Sequence, residues 1–427
     1  MTRTRGNNRW PARLGRATGV ALLAGLSILI ALAGTAVATL VTDVPAVFLA
    51  VGVLTGLGTW LTGVRVGRWR PMRHRTAALA GGVGTVVLLG AVLVPLGDPV
   101  RVPAPPPGAG TWTLPDGGRL AYGMVPAPAD RRSGAPVVVL HGGPGVPDLA
   151  GMLTTLGALA VDGRDVWAYA QRGSGGSSRL ADPGGYTVDL AVADLEEVRR
   201  RIGADRMVLL GHSYGGFLAA AYAAAHPRRV ERLVLSSPGD LAKDGVGGMP
   251  QRRLEAVDRW RLYRLLAPPR ALLAYTLLQV SPAAAHAFAG DRELDARQDR
   301  VYAATRSALH CADEPPPPPL YGNGFFANQV PQSASRPPVP DVAGRLRGLP
   351  LPTLVVKGRC DYLDWASATG YLDVLPDSRL AYLPEAGHDA WSDDPDGFRA
   401  VVRAFLTGDE IPGLLPDPHR PPADYQG

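Results

Sequence analysis

The 427-residue chain reads as an α/β protein: a mostly parallel sheet with helices on both faces, carrying a helical cap insertion and preceded by three transmembrane helices. Three observations predict this. Short continuous apolar runs alternate with helical runs over the C-terminal three quarters of the chain, the pattern of buried parallel strands and their crossovers. A glycine-flanked serine stands where one such run turns into a helix. Three apolar stretches without charge open the chain.

The three stretches lie between Arg16 and Asp43, between Asp43 and Arg65, and between Arg75 and Asp98. Each reaches the roughly 20 residues that a helix needs to cross hydrocarbon. Spans are expected at about 17–41, 44–64 and 76–97, within a membrane region of residues 1–97. One stretch alone could be a core helix or a signal peptide, and Ala36-Val37-Ala38 has the small-residue look of a cleavage site. Three in succession are hard to hide in a soluble core. Residues 1–75 hold ten arginines and one acid, Asp43, a net +9 that leaves −3 for residues 76–427. Five arginines precede the first span and five lie between the second and third. The positive-inside rule then keeps both clusters in the cytoplasm and puts everything after Asp98 outside, in a multi-pass protein of the cell membrane. No basic stripe interleaved with aromatics appears, so nucleic acid is not a partner.

Residues 98–110 (DPVRVPAPPPGAG) read as a semi-rigid proline-rich linker. Strands are expected at Val137–Leu140, Asp165–Tyr169, Met207–Leu210, Val230–Ser236, Thr353–Val356 and Leu380–Leu383. Helices are expected at Thr187–Ile202, Tyr214–Ala225 and Phe398–Phe405. Residues 111–238 and 349–411 thus form one core. Residues 239–348, rich in Ala, Arg and Leu and then in Pro, form the cap, and the proline-rich tail 412–427 is expected to be poorly ordered.

Gly211-His212-Ser213-Tyr214-Gly215 is G-x-S-x-G between a strand and a helix. The motif needs that setting, because the nucleophile sits in a sharp turn that only glycine neighbours let close. A serine hydroxyl also needs a base, which an acid must orient. With partners in the order Ser, acid, His, only His388 and His419 follow the cap; His419 lies in the tail, so His388 is the base. The strand Thr353–Val356 runs into Lys357-Gly-Arg-Cys-Asp361, which nominates Asp361, with Asp364 as the fallback; Asp389 is too close to His388 in sequence. His141, His212 and His226 read as structural. The oxyanion hole would use the amides of Tyr214 and of Gly143, in the glycine loop His141–Gly145.

Together HGGPG at 141–145, QRGSGGS at 171–177, GHSYGG at 211–216, GRCD at 358–361 and AGH at 386–388 resemble the proline iminopeptidase family of α/β-hydrolases, over roughly Gly110 to Leu406. The resemblance implies the α/β-hydrolase fold, a triad of Ser213, Asp361 and His388, an HGGPG oxyanion loop, and cap carboxylates that hold a substrate's α-amine. Glu293 and Asp295, in an acidic helical run of the cap, are the candidates for that binding, and a solvated helix face is the plainer reading. One position departs from the family: Ala170 stands where Asp usually precedes Gln-Arg-Gly.

The expected activity is removal of an N-terminal residue, often proline, from short peptides. An esterase or lipase with the same triad is the alternative, and a non-catalytic membrane binding protein is a third reading that an intact triad opposes. Partners are therefore a small peptide or ester and the bilayer lipid; no cofactor and no metal are expected, and nothing speaks to an oligomeric state. Cys311 and Cys360 are too few for a cysteine-rich zinc site. Both follow the third span, where disulfides persist, so either a bridge clips the cap's exit to the acid loop or two separate thiols are buried.

Overall fold

The computed structural model describes residues 10–66, 74–245, 247–311 and 319–427. Arg3, Arg5, Arg9, Arg68, Arg70 and Arg73, on which the expected orientation leans, lie outside the described residues, as do the side chains of Arg13, Arg16 and Arg75 and the prolines 315–318.

In chain order the elements begin with three helices, α1 (Trp10–Ala38), α2 (Pro45–Val66) and α3 (His74–Leu93). Then follow β1 (Gly110–Thr113), β2 (Arg119–Val125), β3 (Val137–Leu140), α4 (Leu149–Leu156), β4 (Val166–Tyr169), α5 (Val188–Ile202), β5 (Met207–His212), α6 (Tyr214–Ala225) and β6 (Val230–Ser236). The cap region contributes α7 (Ala256–Leu266), α8 (Pro269–Leu278), α9 (Pro282–Phe288), α10 (Asp291–Thr305), α11 (Phe325–Gln329) and α12 (Val342–Leu346). The chain ends with β7 (Thr353–Cys360), α13 (Ala366–Leu372), β8 (Ser378–Gly387), α14 (Ala390–Asp393) and α15 (Pro395–Thr407).

Two compact units result. One holds residues 1–96 together with 267–290; the other holds 97–266 and 291–427. In the first, α1 packs on α2 through small residues. A Cβ added to Gly56 would fall 2.8 Å from the Ala31 Cβ, and one added to Gly34 would strike Thr55. Hydroxyls on these helices are satisfied within their own turn: Ser27 donates to the Leu23 carbonyl at 2.8 Å and Thr59 to that of Thr55 at 2.8 Å. Among the described residues two helices, not the expected three, are long and apolar enough to cross a bilayer: Thr18–Ala38, with mean hydropathy 2.4, and Pro45–Val66, with 1.8. The third apolar run, Leu79–Leu93, lies within the 20-residue helix α3.

In the second unit the eight strands form one sheet in the order β1-β2-β4-β3-β5-β6-β7-β8. β3 to β8 run parallel to their neighbours, while β2 is antiparallel to both β1 and β4. Alternate strand residues enter two separate cores. Val138, Leu140, Leu209 and Leu235 face one side; Val139, Val208, Leu210 and Val234 face the other. Both faces are covered, which is why the strands read as unbroken apolar runs. The chain leaves β3 for β4 on one side and later returns to β5 on the other, so the crevice between the C-terminal ends of β3 and β5 is the topological switch point where open α/β sheets bind ligands.

The tail departs from expectation because it packs. Leu414 bridges Ala381 on β8, the Tyr382 amide donates to the Gly413 carbonyl at 2.9 Å, and the Gln426 amide donates to the Arg359 carbonyl at 2.9 Å. The Tyr425 ring lies against Trp365 at 4.9 Å and its hydroxyl donates to the Leu363 carbonyl. β8 is the sheet's last strand, and the tail supplies partners for backbone groups that an edge leaves open.

Candidate active site

The switch-point crevice holds Ser213. It ends β5 and caps α6 with φ 53° and ψ −122°, a left-handed backbone for a non-glycine residue. The turn closes because its neighbours have no side chain. A Cβ on Gly211 would meet the Gly215 carbonyl oxygen at 2.2 Å, and one on Gly215 would meet that of Leu140 at 2.2 Å. The elbow is tied to the next strand: the Ser213 amide donates to the Ser236 carbonyl at 2.9 Å, and the Gly239 amide donates to the Ser213 carbonyl at 2.8 Å.

β7 carries Asp361 past its end and β8 delivers His388 beside it. Asp361 Oδ1 lies 2.7 Å from His388 Nδ1 with the carboxylate fully buried. The fallback, Asp364, and the excluded Asp389 are placed elsewhere. Asp364 is exposed, 3.8 Å from Lys243, and Asp389 sits 3.3 Å from His212. Ser213 and His388 share no hydrogen bond among the described residues. The Tyr362 ring lies 4.5 Å from that of His388.

Sequence reasoning passed over Lys357. Its ammonium is fully buried, 2.6 Å from Asp361 Oδ2, and also donates to the Leu363 carbonyl at 2.9 Å and to Ser367 Oγ at 3.2 Å. Burial pushes the Asp361 carboxyl up, but the Lys357 charge and then His388 outweigh it and hold the group well below the usual carboxylate range. Burial lowers Lys357 in turn, against the pull of Asp361. The signal was present: a lysine in the middle of an apolar strand, four residues before the nominated acid, is almost never buried without a partner.

The His141–Gly145 loop follows β3 and lies against Ser213; a Cβ on Gly142 would fall 2.8 Å from the Ser213 Cβ. His141 pins this loop. Its Nδ1 sits 3.0 Å from the Gly142 carbonyl, its Nε2 accepts from the Gln171 amide at 2.9 Å, and burial lowers it to about 4, so it is a neutral structural residue. The Asn328 side chain donates to the Pro144 carbonyl at 2.7 Å and steadies the loop's far end. The amides of Gly143 and Tyr214 have no protein partner among the described residues. His212 is also buried, which lowers its basicity, and its ring stands edge-on to Trp391 at 4.2 Å. Burial raises Asp389, yet its bond to His212 brings the carboxyl to about 2. His226 packs beside Tyr222 at 4.8 Å. His212, His388 and Asp389 offer ligand atoms within 4.8 Å of one another. His388 Nδ1 is taken by Asp361 and His212 Nε2 by Asp389, as in an acid–base network.

The cap carboxylates are differently placed. Glu293 sits in the first turn of α10. Asp295 is held by Arg179, with Oδ2 at 2.9 and 3.1 Å from its nitrogens, and Oδ1 accepts from the Phe325 amide at 2.7 Å. Burial pushes Asp295 up to about 7 despite these donors. It lines a cavity of about 1020 Å³ with Arg179, Asp299, Tyr122, Pro147 and Tyr321, and Ser213 is not among the lining residues.

The cap's exit is stitched to the loops that carry Asp361 and His388. Cys311 and Cys360 are joined, S–S 2.05 Å and Cα–Cα 5.2 Å, and the His388 amide donates to the Leu309 carbonyl at 2.6 Å. Arg253, from the cap's entry, donates to the Cys360 carbonyl.

Residues 135–395 match the family described as alpha/beta hydrolase fold. A proline iminopeptidase of Heyndrickxia coagulans is 39% identical over 122 residues, 29% of this chain and 40% of the relative. The human protein named 1-acylglycerol-3-phosphate O-acyltransferase ABHD5 is 30% identical over 286 residues, 63% of this chain and 76% of the relative. The chain spans less than half the length of two curated proline iminopeptidases it matches, 40% and 32%. The crystal structure of proline iminopeptidase from Mycobacterium smegmatis superposes with a TM-score of 0.46 at 24% identity, covering 70% of this chain and 98% of that one.

Proposed function

Because the chain belongs to the alpha/beta hydrolase fold family, we propose that it is a membrane-anchored serine hydrolase with Ser213 as nucleophile, His388 as base and Asp361 as the acid that orients it. The observation that carries this reading is the strained elbow at Ser213 beside the buried Asp361–His388 pair at 2.7 Å. Ser213 Oγ attacks the substrate carbonyl carbon and its proton passes to His388 Nε2. The oxyanion is met by the Gly143 and Tyr214 amides at the start of α6, where the helix end favours negative charge. His388 then protonates the leaving group, and water, deprotonated by the same imidazole, hydrolyses the ester to Ser213. In the first reading the acyl group is the substrate's N-terminal residue, often proline, and the leaving group is the amine of the remaining peptide. The resemblance of the HGGPG, GHSYGG and GRCD segments supports it.

A second reading, hydrolysis of ester substrates, is favoured by Asp295: Arg179 and the Phe325 amide already occupy its oxygens, where an α-amine would have to bind. Ala170, in place of the usual Asp, points the same way. In both readings α1, α2 and α3 each cross the cell membrane as a multi-pass anchor, and residues after Asp98 therefore face outside.

The test is a substrate panel on the full-length protein in detergent, aminoacyl arylamides against p-nitrophenyl esters, with fluorophosphonate labelling alongside. Ser213→Ala should abolish labelling and lower kcat by roughly 10⁴ or more. Labelling that survives the substitution overturns the nucleophile. Ester turnover without arylamide turnover replaces the first reading by the second.

A further inference from the structure

The cap insertion contains a stretch that folds with the N-terminal helices. Residues 267–290 belong to the same compact unit as residues 1–96, although the chain before and after them belongs to the other unit. Within that unit α8 packs along α3 and α9 packs against α2. Residues 271–290 (ALLAYTLLQVSPAAAHAFAG) contain no Asp, Glu, Lys or Arg. The charge that introduces them, Arg270, is buried and reaches backbone carbonyls. Its guanidinium donates to the Val92 carbonyl at 3.1 Å and to the Phe288 carbonyl at 2.9 Å, and lies 4.5 Å over the Phe288 ring. Val92 is in the last turn of α3 and Phe288 ends α9, so one cation closes the negative ends of two helices. The first turn of α8, the end of α9 and the end of α3 therefore lie at one level.

From that level α8 runs for 10 residues and α9 returns over 7, with the break at Ser281-Pro282. Ten helical residues span about 15 Å, half the roughly 30 Å of a hydrocarbon core. The outward side of α8 suits such a place. Leu272 is 52% exposed, and the exposed Thr276 one turn on donates its hydroxyl to the Leu272 carbonyl at 2.8 Å, as the hydroxyls of α1 and α2 do within their own turns. The helix before the stretch is of a different kind. α7 exposes Val257, Trp260 and Tyr263 at 54–58% and places Arg264 4.7 Å over the Trp260 ring, the mixture of aromatics and arginine found at the headgroup level.

We propose that residues 267–290 form a re-entrant helical hairpin that enters the phospholipid bilayer beside the N-terminal helices, and that the exposed face of α7 meets the headgroups. The cap is then itself a membrane-binding element, and the body is held to the bilayer at a second place besides its N-terminal anchor. This rests on the reading of α1 and α2 as membrane helices, and the experiment separates the two.

The full-length chain is reconstituted in phosphatidylcholine vesicles as three variants, Leu272→Cys in α8, Leu54→Cys in α2 and Asp396→Cys on the body, each labelled with an environment-sensitive fluorophore. Leu54 is 70% exposed and the Asp396 side chain 87% exposed, so each label is tolerated. Quenching by lipids carrying a nitroxide in mid-chain or near the headgroup is then measured. The label at 272 should be quenched within about twofold of the label at 54 and at least about threefold more than the label at 396, and should resist aqueous iodide. As a second measurement, a protease site placed in the linker 98–110 is cut; the body should stay with the vesicles and leave only in detergent. Quenching at 54 without quenching at 272, together with release of the body, overturns the hairpin and leaves the anchor. Absence of quenching at both positions overturns both.

Discussion

Replacing Lys357 by Met tests the buried charge network from two sides. The side chain keeps its length and loses only the ammonium, which sits 2.6 Å from Asp361 Oδ2 with no solvent access. Removing one partner of such a pair leaves a buried charge uncompensated, at a cost of about 3–5 kcal/mol of stability. The second effect falls on the base. Asp361 bridges the ammonium, at 2.6 Å, and His388 Nδ1, at 2.7 Å. Across that carboxylate the two nitrogens are roughly 6 Å apart, and at an effective dielectric of ~20 one charge there contributes about 3 kcal/mol, or roughly two pH units. In the native protein a proton on His388 faces a neutral pair; in the variant it faces a bare carboxylate. The proton is held more firmly, so the acid limb of kcat/KM should move up by about one to two pH units, while the plateau at high pH is largely kept. The assay is a pH–rate profile with the better ester or arylamide substrate, beside thermal melts of both proteins. An acid limb that stays in place or moves down refutes the coupling of Lys357 to the base. A melting temperature unchanged by the substitution refutes the buried pair itself.

Other outcomes follow from the same geometry. The Cys311–Cys360 bridge closes a loop with a sequence separation of 49, worth about 4 kcal/mol in the chain-entropy model. Replacing both cysteines by serine should lower the melting temperature and reduce kcat by loosening Asp361, and an unchanged melt would show the clip to be idle. Asp295, raised to about 7 in the fold against about 3.9 in the unfolded chain, contributes its stability fully below pH 4 and loses it as pH rises through 7, by up to about 4 kcal/mol. Melts of Asp295→Asn across pH 4–8 should lack that slope; a slope identical to the native one would assign it elsewhere. Deleting residues 412–427 removes Tyr425 and Gln426 from the acid loop and should cost both stability and kcat, measured by melting and by turnover. A fully active truncation would make the tail dispensable.

Much of this was written in the chain itself. Buried parallel strands need apolar residues on both faces, so β3, β5, β6 and β7 stand out as short unbroken runs, and the elbow needs glycine at 211 and 215 because a Cβ there would strike backbone. Ser213, Asp361 and His388 could be nominated because each follows a strand end, and a parallel sheet gathers strand ends on one edge. The antiparallel strands β1 and β2 were not legible, since their mixed burial leaves a weaker pattern. Nor was the order of the tail, whose prolines argue for a loose end while its contacts are made with residues far away in sequence. Sequence separation also hid the fate of Asp295, because only the fold brings Arg179 to it across 116 positions. The same holds for residues 267–290, whose composition suits a soluble cap or a bilayer equally; their packing against α2 and α3 comes from contacts about 180–240 residues away along the chain, which no local pattern encodes.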